Sequence, residues 1–292
     1  MTPNNNTSVI PFVTALEQQS HRRSYAYGAI YPIYVPQQFF VPFQICRETR
    51  ENAISYVSLY KADGTLVESI TQQMQDAGLL IKRYEDYGYD TIIFPAIVPM
   101  NIMQDIGQFY IAISDSVEEW YSDVFTVVDK IDDYLKIEWY CQEDMYYRGG
   151  VITYQQPKFI NTLYLDTQLG KPEYPFTEES EERDGLLFPI KQYTEKTYKF
   201  SCLASEAMCD VMRLIRMADY IRVTDGYGNV YQADQFLFTP TWQAQGDLAS
   251  VECEFQTATI FKNIGRGVKV LAANGDFNID FNNDYLIGNN NG

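Results

Sequence analysis

Glu118, Glu119 and Asp123 flank Trp120 and Tyr121 in the run VEEWYSDVF. Carboxylates beside aromatic rings are what a sugar-binding cleft uses, because rings pack on the apolar faces of a sugar and carboxylates accept from its hydroxyls. Two carboxylates at a suitable separation would also serve glycoside hydrolysis. Acidic and aromatic residues are common throughout this chain, with 39 Asp and Glu and 24 Tyr. Trp120 is therefore read chiefly as packing at the core or its rim, and a sugar site at Trp120 and Tyr121 is the alternative.

Other chemistry is sparse. His21 is the one histidine, so neither a histidine-based nucleophile pair nor a multi-histidine metal site can be built. The chain has no GxSxG, P-loop or GxGxxG pattern. DGYGN at Asp225–Asn229 has a faint calcium-loop look, but the later bidentate Glu is missing and a hairpin turn is the better reading. The five cysteines, Cys46, Cys141, Cys202, Cys209 and Cys253, form no CxxC pair. An odd set without that spacing predicts neither a zinc site nor a disulfide framework. They read as small apolar residues of a protein folded in a reducing cytoplasm. No enzyme, cofactor or metal is expected.

The elements that would position these residues are mostly strands. In AISYVSLYKADGTLV, apolar runs flank Lys61-Ala62-Asp63-Gly64, a strong hairpin signal because glycine takes positive φ freely. In GQFYIAISDSVEEWYSDVFTVV, Phe109, Ile111 and Ile113 alternate with Tyr110 and Ala112. Asp115-Ser116 turns the chain, and Trp120–Val128 is read as one return strand with Tyr121, Asp123, Phe125 and Val127 on one face. Residues 31–129 thus read as an immunoglobulin-like β-sandwich. Residues 130–264 read as a second β-sandwich or split-barrel module. Its one helix, at about 205–219, carries an apolar stripe of Ala207, Val211, Leu214, Ile215 and Ala218 and is capped by Ser205. Met208, Met212 and Met217 read as core filling. Glu173–Asp184 reads as a solvated acidic loop. The class is mainly β.

The two ends differ in texture. Residues 1–30 read as an arm whose basic spot, Arg22 and Arg23, could dock on an acidic neighbour. The start, MTPNNNTSVIPF, lacks the basic and apolar regions of a signal peptide. Residues 265–292 form a tail rich in Asn and Gly. The net charge of −17 argues against binding to nucleic acid or an anionic membrane.

Several stretches together carry a resemblance: G.FYIAISDS…WYSDVFTV, IEW, the acidic segment, KTYKFSCLASEAMCDVMRLIRMADYIRV, DGYGNVYQA and WQAQGDLASVECEFQTATIFK. Over residues 35–264 this resembles tail or baseplate structural proteins, distal-tail-like or connector rings, of tailed bacteriophages of gut Bacteroidota. The resemblance implies a structural virion protein, assembled in the host bacterial cytoplasm as a homo-oligomeric ring with other tail or baseplate proteins. It implies no catalytic residues. The candidate interaction residues come from the sequence itself: Arg22 and Arg23 of the arm, for an acidic neighbour, and Trp120 and Tyr121, for a glycan. A glycan-binding module is the second expectation, and a carboxylate-dependent glycosidase the last.

Overall fold

The computed structural model describes residues 8–14, 33–37, 39–95, 98–99, 106–147, 150–155, 158–183, 186–243 and 248–263. The chain is mainly β, with multiple sheets consistent with immunoglobulin-like sandwich modules. It divides into two compact units: residues 1–174 with 196–258, and residues 175–195 with 259–292.

The first strands of the first unit are β1 (Phe12–Thr14), β2 (Tyr34–Pro36), β3 (Phe39–Phe40), β4 (Phe43–Glu48), β5 (Tyr56–Lys61) and β6 (Leu66–Ser69). After helix α1 (Thr71–Asp76) come β7 (Leu80–Tyr84), β8 (Tyr89–Phe94), β9 (Val98–Pro99), β10 (Gly107–Ser114), β11 (Glu119–Ser122) and β12 (Phe125–Val128). β10 is the centre of the larger sheet. It pairs with β5 on one edge, and with β11 and β12 end to end on the other. β1 extends the sheet antiparallel to β11, and β2 runs parallel to β12. A second sheet has the order β4-β8-β7. Val57, Leu59, Ile111 and Ile113 of the first sheet share one buried cluster with Phe43, Ile45, Ile92 and Phe94 of the second.

The predicted Asp-Gly turn is present. Gly64 has φ 87°, and its N–H donates to the Lys61 carbonyl at 2.9 Å. The faces of β10 are also as expected, with Phe109, Ile111 and Ile113 buried together. The return strand is corrected. It breaks at Asp123–Val124: the Asp123 N–H still continues the pairing with β1, donating to the Pro11 carbonyl at 2.8 Å, and β12 begins at Phe125. The break changes the parity: Trp120, Ser122 and Val124 are buried before it, and Phe125 and Val127 after it. Tyr121 therefore does not share a face with Phe125.

The arm reading is corrected too. Residues 8–14 belong to the core: Val9, Ile10 and Phe12 are buried, and the Phe12 ring lies 5.0 Å from that of Phe43. Burial of these apolar side chains outweighs the turn-prone polar start of the segment. Nor does residue 129 separate two cores. A 310 turn, Ile131–Asp133, carries the chain onward, and a single buried cluster runs from Val9 to Phe255.

The remaining strands of the first unit are β13 (Leu135–Tyr140), β14 (Met145–Tyr147), β15 (Gly150–Ile152) and β16 (Asn161–Leu165). β17 (Phe176–Arg183) lies in the second unit, and β18 (Leu186–Ser205) has residues in both. Helix α2 (Glu206–Ile215) follows, then β19 (Tyr220–Thr224), β20 (Val230–Ala233), β21 (Gln235–Trp242) and β22 (Leu248–Asn263). One four-stranded sheet has the order β16-β13-β19-β20. β21 pairs antiparallel with β22, burying Val251, Cys253 and Phe255 at alternate positions. The Ser205 hydroxyl caps α2 by accepting from the Met208 N–H at 3.3 Å. α2 ends at Ile215, four residues short of the expected limit. Its buried stripe is Ala207, Met208, Val211, Met212 and Ile215, whereas Met217 is exposed on the turn beyond.

In the second unit, the described residues are a β-hairpin and residues 259–263. Residues 176–183 pair with residues 186–194, with a bulge between Glu179 and Ser180. The acidic segment read as a loop is thus a strand: Glu178, Glu179, Glu181 and Glu182 alternate across an extended ladder and stay solvated in that form.

Candidate functional site

Arg22 and Arg23 lie outside the described residues. Trp120 is 1% exposed, so its ring offers no face to a sugar. The Arg50 guanidinium sits 5.8 Å from the ring centroid on the β10–β11 side of the core. Tyr121 is half-buried on the opposite face of β11, where its hydroxyl donates to Glu119. Burial, then the Glu119 carboxylate, push this phenol well above the ordinary tyrosine range.

The carboxylates beside these rings hold the turn. Glu118 accepts from Arg50 at 2.6 Å. Asp115 accepts from the Val117 and Glu118 N–H groups at 3.0 and 2.9 Å, which fixes Ser116 at φ 71°. Asp123 accepts from the Val124 N–H at 3.0 Å. Beneath them Arg47, with no exposed side-chain surface, pairs with Asp115 and with Asp90 at 3.4 Å. It also donates to the Asn52 carbonyl at 2.7 Å. This network ties segment 49–55, β8 and the β10–β11 turn together, and sequence spacing gave no sign of it because its members are up to 68 residues apart.

A second polar cluster centres on Asp144. Its Oδ2 accepts from Lys82 at 2.9 Å and from the Tyr84 hydroxyl at 2.7 Å. Its Oδ1 accepts from the Tyr154 and Gln155 N–H groups at 2.7 and 3.2 Å. Burial raises the Asp144 pKa, but these donors outweigh it and hold the carboxyl below its ordinary value. Its acceptor positions are already used, so the cluster clamps the β14–β15 hairpin to β7.

DGYGN forms the β19–β20 turn. The Asp225 carboxylate accepts from the N–H groups of Tyr227 and Asn229 at 3.0 and 2.9 Å, from the Asn229 amide at 2.9 Å and from the Tyr231 hydroxyl at 3.2 Å. That is an Asx turn, the same chemistry a calcium loop would use turned inward on its own backbone. Among the described residues no group of three or more His, Cys, Asp or Glu is placed to hold a metal. The five thiols are free: three are buried and Cys202 and Cys209 are half-buried.

The surface that stands out by composition is the hairpin of the second unit. Phe176, Leu186, Leu187 and Ile190 are all exposed, Leu187 to 73%. Ile260 and Phe261, in the other described segment of that unit, are also exposed. Along the distal rungs charged and apolar residues are paired: Glu182 is opposite Leu187, and Arg183 opposite Leu186. The ladder is held by backbone pairing and a few side-chain bonds, such as Gln192 to Glu178 at 2.6 Å. β18 is paired on both sides, with β17 and β22, so β17 is the edge strand and its outer edge presents unpaired backbone groups.

No family model matches the chain, and no curated protein matches its sequence. Among solved structures, a chain from "Crystal structure of Dpr2 Ig1-Ig2 in complex with DIP-Theta Ig1-Ig3" matches with a TM-score of 0.18 and 8% identity. The match spans 85% of this chain and 87% of that one, and at that score it carries no argument about function.

Proposed function

We propose that this chain is a structural protein of a bacteriophage tail, baseplate or connector, which assembles with copies of itself into a ring. The observation that carries the reading is the hairpin of residues 176–194. Large exposed apolar side chains beside the open edge of β17 favour burial against another subunit. A docked hairpin would gain both apolar contacts and a neighbouring strand for its edge. The acidic composition is compatible with lining a passage for DNA, since like charges keep the genome from adhering. The sequence resemblance to tail and baseplate proteins points the same way.

The test is light scattering after size exclusion, run on the full chain and on a variant with residues 177–193 replaced by a short Gly-Ser turn. The full chain is expected to form a discrete oligomer, and the variant a monomer with an unchanged far-UV spectrum. A full chain that stays monomeric at all concentrations and is absent from purified particles overturns the reading. So does a variant that assembles as well as the parent.

A further inference from the structure

A groove of about 500 Å³ opens beside the β19–β20 turn in the first unit. Asp132, Tyr134, Lys136, Tyr164 and Tyr227 line it. A smaller recess of about 100 Å³ continues it past Asp133 and Gln168. Its size falls in the range of small-molecule sites, roughly 300–1,000 Å³.

The wall that matters most is Tyr227, 84% exposed at the tip of the turn. Its position is set by a rigid frame. Asp225 accepts three hydrogen bonds from within the turn, two of them from backbone N–H groups, and a fourth from the Tyr231 hydroxyl of β20. Gly226 packs so closely on the 310 turn that a Cβ there would lie 2.9 Å from the Asp133 carbonyl oxygen. Turn and 310 segment are thus locked together, with an aromatic ring projecting from one and carboxylates from the other. Asp132 and Asp133 belong to no ion pair among the described residues. Lys136 is held by Glu138 at 3.0 Å. Burial, then Glu138 and Asp132, push the Tyr164 phenol up to about 12, so it stays a neutral donor and acceptor at physiological pH.

These groups suit few ligands. Phosphates and other anions meet two carboxylates with no unpaired cation beside them. An extended apolar ligand would leave the polar rim unsatisfied. A sugar offers what the groove lacks: an apolar C–H face for a tyrosine ring, and hydroxyls at its edge for carboxylates and a phenol. We propose that this groove binds a short oligosaccharide of uncharged or amino-bearing sugars. The site is separate from the hairpin, and its failure would leave the assembly reading untouched.

The experiment is a printed array of neutral, amino-bearing and sialylated oligosaccharides probed with the full chain. The best hit is then titrated by NMR against wild type, Tyr227→Ala, Tyr227→Phe and Asp132→Asn. Expected are hits confined to the neutral and amino-bearing classes. Tyr227→Ala should weaken binding roughly tenfold, and Tyr227→Phe should retain it, because the ring face carries the contact. Asp132→Asn should weaken amino-bearing ligands more than neutral ones. Tyr227 is exposed, so its variants are expected to keep the parental melting temperature. The proposal is overturned if no sugar binds at about 5 mM, if sialylated sugars bind best, or if Tyr227→Ala binds as wild type does.

Discussion

Arg47 has no exposed side-chain surface, yet it carries a full charge between Asp90 and Asp115. Removing one partner of a buried ionic network leaves the others desolvated and unpaired, which costs more than the network contributed. Arg47→Met should lower unfolding free energy by about 3–5 kcal/mol, read from urea denaturation. Adding Asp115→Asn and Asp90→Asn to that variant should recover part of the loss. Asp144 makes a second case. Its folded pKa lies below the ordinary 3.8, so its bonds stabilise the fold above that value and are lost as pH falls through the depressed one. Asp144→Asn should therefore cost about 2 kcal/mol at neutral pH. It should also flatten the fall in stability that wild type shows below about pH 4. A variant whose acid unfolding tracks wild type would mean that Asp144 does not clamp the hairpin.

At the scale of elements, local signals and tertiary constraints divide the outcome. The Lys61–Gly64 turn, the faces of β10, the Asp225–Asn229 turn and the Ser205 cap were legible because each depends on residues within a few positions. The parity change at Asp123–Val124 was not, because β11 before the break and β12 after it pair with different strands, β1 and β2, about ninety or more residues earlier. α1 was missed because six residues with one buried side chain, Met74, leave almost no periodic trace. The acidic strand β17 was taken for a loop because its partner, not its own β propensity, extends it. Trp120 was legible as core packing, but the groove was not, because it joins segments about 90 residues apart. Gly226 links the two scales. Gly226→Ala must push the turn off the Asp133 carbonyl and should cost about 1–3 kcal/mol, seen as a lower thermal midpoint. Any alanine effect smaller than at an open turn position would show that the close approach is unimportant.

For the whole molecule, the question is what a chain of net charge −17 gains by displaying Phe176, Leu186, Leu187 and Ile190. Isolated apolar residues on a surface are ordinary, but several of them on one hairpin beside an open strand edge invite association. Self-repulsion between acidic subunits opposes that contact and is screened by salt. Oligomer formation should accordingly strengthen as NaCl rises from about 0.05 to 0.5 M, and Leu187→Ser with Ile190→Ser should weaken it at every salt concentration. Sedimentation velocity across that series checks both. Dissociation on adding salt would point instead to an interface built on charge pairs.

The pairing of Phe12 with Ser122 has a bearing on how the molecule is made. β1 leaves the ribosome well ahead of β11, and its place in the sheet exists only after β11 has followed. At bacterial rates of roughly 5–20 residues per second, the intervening 110 positions take about 6–22 s to synthesise. Through that interval Val9, Ile10 and Phe12 have no seat. A nascent chain of this protein stalled before residue 119 should hold a chaperone on residues 8–14, and one released a few dozen residues beyond 122 should let it go.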